Sequence, residues 1–306
     1  MSKVGYCCIC LGINEGVKKV DQVSVNRGMV KRTFDLKGLE GVSELAIKNL
    51  EDLIKVLNYN LERGIFVYRM SSEMFPWLTH YDVTKLPNFD RINTLLKNSG
   101  DFAKLHGMRL SFHAPPFCVL ASQNPDVVEK TIDELDKHSQ LMDLMGLEAS
   151  TYYSINVHVG VTKPSREEAA ERFCINFERL SPNTKKRLTV ENDDSKNQFS
   201  TQMLKSMIYD RIGIPIVFDY FHHACFSDDL DQKSAFELAR HTWKERQLCH
   251  HSSSRKVWED PGSKHEAHAD YLFENFNDWG YDIDVELECK AKDLALIQFR
   301  SQFMSR

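Results

Sequence analysis

Eight short β-rich runs, separated by stretches of helical period, constrain this chain more than any other feature it carries. They are Val4 to Ile9, Ile65 to Arg69, Met108 to Phe112, Ser154 to Val157, Arg187 to Val190, Ile214 to Phe218, Arg246 to Cys249 and Asp282 to Leu287. Between the first two, Leu45, Leu50, Leu53, Ile54, Leu57 and Leu61 repeat at three- and four-residue steps, and Gly64 follows as a helix stop. Asn124-Pro125 places a capping residue before Pro at the first helical position of a segment running to Gly146. Ser165 to Glu168 reads as a capping box opening a helix toward Leu180. No linker or low-complexity segment interrupts the series, so the pattern predicts a single (β/α)8 barrel domain over 1–306. A doubly wound sheet is the alternative, disfavoured because no G-x-G-x-x-G follows the first strand. The first connection, Gly12 to Gly41, is long for its place and basic, as expected of a functional loop.

Composition removes several function classes. With 42% hydrophobic and 27% charged residues, and no apolar run near the roughly 18 residues of a membrane span, no membrane role is expected. The start Met-Ser-Lys-Val-Gly-Tyr lacks a basic segment followed by an apolar one, so an intracellular, unsecreted protein is expected. Its eight cysteines are then reduced thiols, with Cys7 and Cys10 packing in a first strand rather than binding zinc, since no second ligand pair follows at zinc-finger spacing. The net charge of −5 gives no global field for a polyanion. Nucleic-acid contacts would be local, drawing on Lys18-Lys19, Lys31-Arg32, Lys185-Lys186-Arg187 and Arg255-Lys256, although clusters this small are usually solvated faces.

Barrel enzymes carry their chemistry where strands exit at their C-terminal ends. Here strand two exits at Ser71-Ser72-Glu73, three at His113, four at His158, five at Glu191, six at Asp219 with His222-His223, seven at His250-His251 and eight at Glu288. His268 and Asp270 lie between the last two strands. Leu188 to Asp194, taken alone, reads equally as a strand ending in a helix N-cap. Seven exits of this kind on one rim read differently, because Glu191, Asp219 and Glu288 converging there would repel without cations between them. Mixed His and carboxylate donors suit Mn2+ or Zn2+ better than Ca2+, and the set is long enough for two or three ions. Such clusters serve phosphodiester hydrolysis, one ion activating water and others stabilising the phosphoryl oxygens and leaving alkoxide. A two-metal sugar isomerase or epimerase is the alternative that ligand types alone leave open.

The motifs resemble the UV-damage endonucleases, barrel enzymes related in architecture to endonuclease IV. The matching words are Tyr68 to Pro76, Arg109 to His113, His158-Val-Gly160, Arg187 to Asp194, Asp219 to His223, His268 to Tyr271 and Leu287 to Lys290, in family order from Gly5 to about Leu296. The resemblance implies recognition of distorted double-stranded DNA, pyrimidine dimers included, and a nick 5′ to the lesion by a metal cluster in which Mn2+ is typical. It implies metal ligation by His113, His158, Glu191, Asp219, His222, His268, Glu288 and one of His250 and His251, His250 being favoured by the Ser-Ser that follows the pair. Of these, Glu191, His113, Asp219 and Glu288 are the expected catalytic groups. Tyr6 corresponds to an aromatic near the lesion, and Pro116 stands where the family usually has a Gln, leaving Phe117 as the side chain able to wedge or stack. A Lys that the family tends to carry in strand seven is replaced by Leu248 or Cys249, and Cys10 stands where Asn is usual. Pro116, Phe117 and Tyr6 are therefore expected DNA contacts, with Lys31, Arg32 and Arg255 as phosphate contacts, and no obligate protein partner is expected. Without the Gln and the Lys, a non-catalytic damage-binding protein is a third class, which predicts binding without cleavage.

Overall fold

The protein is described here by a computed structural model covering residues 2–304. Eight parallel strands close in chain order into a barrel: β1 (Lys3–Cys7), β2 (Val67–Arg69), β3 (Arg109–His113), β4 (Ile155–Val157), β5 (Leu188–Glu191), β6 (Ile216–Asp219), β7 (Leu248–His251) and β8 (Asp284–Leu287), with β8 pairing back onto β1. Helices wrap it: α1 (Lys31–Glu62), α2 (Phe89–Leu105), α3 (Pro125–Leu144), α4 (Arg166–Phe177), α5 (Pro182–Arg187), and α6 (Thr201–Leu204) and α7 (Asp210–Ile212) on either side of a π-helical turn. The short α8 (Tyr220–Cys225), α9 (Gln232–Arg240), α10 (Arg255–Trp258) and α11 (Lys292–Phe299) complete the layer. This is a TIM barrel. Among the described residues no helix is long and apolar enough to cross a membrane.

The helix signals act locally as their chemistry requires. The Asn124 side chain accepts from the Asp126 N–H, the Ser165 hydroxyl accepts from the Glu168 N–H, and Gly64 and Gly146 take the positive φ that ends α1 and the turn after α3. One difference lies in the first connection. Two 3-10 turns, at Gly12–Asn14 and Lys19–Asp21, lead into α1, which starts at Lys31 and breaks its helical geometry at Gly38, where φ is +55°. Asn14 pins the loop by donating to the Val23 carbonyl and accepting from its N–H, both at 2.8 Å, and Arg27 reaches Asp52 at 2.7 Å. The strands also run into the polar exits instead of stopping before them, because His113, Glu191, Asp219 and His251 still pair their backbones with neighbours.

Alternation along the strands divides the molecule into two environments. One set of side chains, such as Val4, Leu110, Phe112, Ile155, Leu188, Val190, Phe218, Cys249, Val285 and Leu287, packs outward against the helices as the main core. The other set points into the barrel. At its floor Val67, Val217 and Leu248 pack with Trp243. Above them stand Arg109, Ser111, Asn156, Thr189, Glu286 and finally the exits. Gly5 belongs to the inward set, and a Cβ there would come within 1.8 Å of the Val67 carbonyl oxygen.

Tyr6 corrects a sequence expectation. It is fully buried in the outward set, its hydroxyl donating to Asn60 of α1 at 2.9 Å with its ring against Tyr68, so it does not face DNA. Arg187 is no solvated basic residue either. It closes α5 and is fully buried, donating to the Ser139 hydroxyl at 2.7 Å and the Leu147 carbonyl at 2.7 Å, with Asp143 at 2.7 Å. All eight cysteines are free thiols, Cys7 and Cys10 among the buried ones.

Candidate metal centre

Because the inward set alternates strictly, the last inward residue of most strands reaches the same level at the barrel mouth. Glu191, at the end of β5 and fully buried, is the hub. Its carboxylate lies 3.2 Å from His113 Nε2, 3.6 Å from His158 Nε2, 3.2 Å from His222 Nδ1 and 3.0 Å from His250 Nδ1. His250 Nδ1 is also 3.4 Å from Glu288, and Glu288 is 3.8 Å from His268 Nδ1. Asp219 lies 3.9 Å from His222 Nδ1. Four overlapping groups could each hold an ion: His113, His158 and Glu191; Glu191, Asp219 and His222; Glu191, His250 and Glu288; and His222, His268 and Glu288.

The imidazoles are oriented by anchors. His113 Nδ1 lies 2.9 Å from the Ala114 carbonyl, His222 Nδ1 2.9 Å from the Asn192 carbonyl, and His268 Nδ1 3.1 Å from the Glu288 carbonyl. His158 Nδ1 is 2.9 Å from Asp193, and His250 Nε2 is 3.1 Å from Glu286. In His113, His158 and His250 one nitrogen faces an oxygen behind the ring and the other faces the Glu191 carboxylate, whereas in His222 and His268 Nδ1 faces both the anchoring carbonyl and a carboxylate. This is the pattern of metal-ligating histidines. The carboxylates are held likewise: Asn156 donates to Glu191, Ser111 to Glu286, and Arg69 pairs with Glu288. Asn192 grips Asp219 from both directions, its amide donating to the Asp219 carbonyl at 3.1 Å and its Oδ1 accepting from the Asp219 N–H at 2.9 Å.

Even so, Glu191 Oε1, Asp219 Oδ2 and His250 Nδ1 are buried without a hydrogen-bond partner. Buried polar atoms are normally satisfied, so orphaned atoms within these groups fit a cation. Charge points the same way. Burial pushes Glu191 up, but the imidazoles of His250 and His158 hold it well below the usual carboxylate range. Burial also opposes charge on Glu288, which Arg69 and His250 keep ionised well below its ordinary value. For His250 and His222 burial pulls down, yet Glu191 and Glu288 raise the first and Asp219 and Glu191 the second, well above the ordinary imidazole value. His113 is lowered, chiefly by burial, with Glu191 opposing and Arg69 adding to the fall.

His251 is the metal expectation that the structure places elsewhere. One residue on from His250, it belongs to the outward set, with its Nε2 3.2 Å from the Glu274 carbonyl and its ring edge-on to Tyr220. His223 likewise packs against Phe218, and the Asp270 carboxylate lies 3.6 Å from Arg255. Arg69, Asn156 and Glu286 were not singled out by the sequence reading. Stepping back two residues from each exit would have found Asn156 and Glu286, and Arg69 ends β2 itself. An open cleft of about 370 Å3 gives access, lined by Arg69, His113, Pro116, His158, Asp194 and Glu288 among others. Phe117 beside it is 64% exposed, and Lys31 and Arg32 stand exposed at the start of α1.

Comparisons with known proteins agree with this geometry. The family described as UV-endonuclease UvdE matches residues 2–305. The UV DNA damage endonuclease of Bacillus cereus (strain Q1) is 33% identical over 273 residues, which covers 84% of this chain and 81% of that protein. The crystal structure of SacUVDE superposes with a TM-score of 0.83 at 30% identity, covering 98% of this chain and 99% of that one. Endonuclease IV from Thermus thermophilus, at 14% identity and a TM-score of 0.58 over 98% of both chains, shares the fold. Whole-length agreement in sequence and structure settles the assignment: this chain belongs to the UV-endonuclease family.

Proposed function

We propose that this DNA-repair endonuclease hydrolyses one phosphodiester on the 5′ side of UV photoproducts and other helix-distorting lesions, with a cluster of two or three divalent ions, Mn2+ first among them. The observation that carries the reading is Glu191, a buried carboxylate within 3.6 Å of four imidazole nitrogens and with an oxygen that has no hydrogen-bond partner. The residues that would hold the ions are His113, His158, Glu191, Asp219, His222, His250, His268 and Glu288. The chemistry that divalent ions supply in such a site is Lewis-acid activation of a phosphodiester toward water.

The chain's own side chains do the rest. Anchoring by Asp193, Glu286 and backbone carbonyls keeps the imidazoles turned toward the mouth, so the donor set is organised before substrate arrives. Arg69 holds Glu288 and offsets part of the negative charge that would repel a phosphate. Pro116 and Phe117 stand at the edge of the cleft, where a ring can enter a helix already loosened by a lesion. Lys31, Arg32 and Arg255 contact phosphates without reading sequence. Lesions are then recognised through deformability, and binding weakens with added salt.

Glu191→Gln tests the reading on UV-irradiated supercoiled plasmid with Mn2+ present. Because several kcal/mol of transition-state stabilisation depend on this carboxylate, nicking falls about a thousand-fold while the fold is retained. A variant that nicks at the wild-type rate would take Glu191 out of the reaction and remove the proposal.

A further inference from the structure

At the end of the barrel opposite the metal mouth lies a hollow of about 280 Å3, set between the segments that lead into β4, β5, β6 and β7. It takes up a basic run that the chemistry at the mouth does not use. Lys185-Lys186-Arg187 precedes β5, so it stands where that strand enters the barrel, at the far end from the metal ligands. Within α5 the helical period turns Thr184 and Arg187 inward and leaves Lys186 outside. Lys244, from the segment before β7, joins Lys185 and Lys186 around the hollow.

The floor of the hollow is apolar and its rim is basic. Phe177, Ile214 and Pro215 are buried beneath it, and Ile212 beside them is half-buried. Lys186 and Lys244 are exposed, and neither ammonium has a hydrogen bond or an ion pair among the described residues. The Lys185 ammonium lies 5.7 Å from the centre of the Phe177 ring and 2.6 Å from Glu178, whose side chain is largely exposed. An ion pair at such a surface is worth about 1 kcal/mol or less, so it yields readily to a better partner. Glu245, the acid that lines the hollow, already accepts from the Thr151 hydroxyl at 2.9 Å. Three ammonium groups against one carboxylate make this rim locally positive on a chain whose net charge is −5.

Size and charge narrow the occupant. Small-molecule sites begin at roughly 300 Å3, so the hollow suits an anchoring side chain of a longer ligand better than a cofactor. A nucleic acid brings phosphates to the lysines but no apolar side chain for Phe177 and Ile214 to cover, whereas an acidic peptide brings both. We propose that this face docks an acidic, unstructured segment of a partner protein, with an apolar side chain on the floor of Phe177 and Ile214 and carboxylates against Lys185, Lys186 and Lys244. Such a segment orders only on binding and pays for that ordering with these few contacts, which makes the attachment reversible. Docking at the entry end of the barrel leaves the mouth open, so partner and substrate are held at once without competing.

The test uses the full-length protein and a fluorescein-labelled peptide of alternating aspartate and leucine, with two controls in which asparagine replaces aspartate or serine replaces leucine. Binding is read by fluorescence anisotropy, and Mn2+-dependent nicking of irradiated plasmid is measured in parallel. The acidic, apolar peptide is expected to bind with a Kd of about 10 µM and each control about tenfold more weakly, the size of a few exposed ion pairs or of one buried apolar side chain. Lys186→Glu combined with Lys244→Glu, at two exposed positions where the fold is retained, weakens the first peptide about tenfold and leaves nicking at the wild-type rate. Absence of binding, equal binding of either control, or undiminished affinity in the double variant overturns the proposal. Displacement of the peptide by undamaged duplex also overturns it, by making the rim a surface for any polyanion. Loss of nicking in the folded double variant does the same, by placing these lysines on the path of the DNA.

Discussion

The two ends of the barrel interior bury charge in opposite ways. At the floor, Arg109 is fully buried, yet its Nη1 donates to the Arg246 carbonyl at 2.9 Å and to Asp284 at 3.2 Å, and its Nη2 donates to the Thr151 carbonyl at 2.9 Å. Arg246 meets the other oxygen of Asp284 at 2.6 Å, so this carboxylate faces two guanidinium groups. At the mouth, Glu191, Asp219, Glu286 and Glu288 share Arg69 and a ring of imidazoles, and buried atoms of Glu191, Asp219 and His250 have no hydrogen-bond partner. Burial of charge therefore does not mark a site by itself. The floor matches its carboxylate with two guanidinium groups, although Arg109 Nε itself has no hydrogen-bond partner among the described residues, whereas the mouth gathers several acids and imidazoles around one guanidinium in groups that could hold cations.

Substitutions can break that contrast from either end. After Glu191→Gln, the largest effect is expected at the floor: Arg109→Met leaves Asp284 short of a partner and costs about 3–5 kcal/mol of stability, with metal bound per folded chain unchanged. Loss of metal without loss of melting temperature would merge the two ends into one network. At the mouth, Asp193→Asn removes the carboxylate behind His158 and should weaken Mn2+ binding about 10- to 100-fold by titration, with little change in melting temperature. An unaltered affinity would make Asp193 only a cap for its own loop, where it also accepts from the Phe199 N–H.

Acidity offers a third probe. Burial lowers the His250 and His222 imidazoles, but neighbouring carboxylates more than reverse this, so both hold protons above their ordinary value of 6.5. In the metal-free protein their stabilising contribution is complete below that value and is lost as pH rises through the raised ones. Ions need the unprotonated rings, so the gain in melting temperature on adding Mn2+ should widen from about pH 6 to about pH 8. A gain that narrows over that range contradicts the ligand set. The smallest effect belongs to Tyr6→Phe, which deletes the bond to Asn60 and costs about 1 kcal/mol, with the affinity for damaged duplex unchanged. Weakened binding at equal stability would return Tyr6 to the DNA face.

Much of this was legible in the sequence, because strand exits fall at a recurring place in the pattern. His113, His158, Glu191, Asp219, His222, His250, His268 and Glu288 were all picked out as exit or loop residues, and the structure gathers them at one mouth. Pleating separates neighbours that the sequence places side by side. His250 and His251 look like one motif, but pleating sends them to opposite sides of the sheet, and Tyr6 sits beside the inward Gly5 and Cys7 in the same way. Arg69, Asn156 and Glu286 escaped notice because polar residues inside short strands give no run that stands out. The start of α1 was hidden because Lys31 to Glu40 lacks an apolar period and is interrupted at Gly38.

The two-residue repeat in β8 has a consequence for how such a chain tolerates changes in length. Asp284, Glu286 and Glu288 alternate with Val285 and Leu287, and the same register that brings two acids to the mouth also presses two aliphatic side chains against the helices. Inserting or deleting one residue within this strand would exchange the sets, stranding carboxylates among helices and filling the mouth with hydrocarbon. Ligation and packing are thereby tied to one reading frame, and insertions or deletions must be absorbed by the loops.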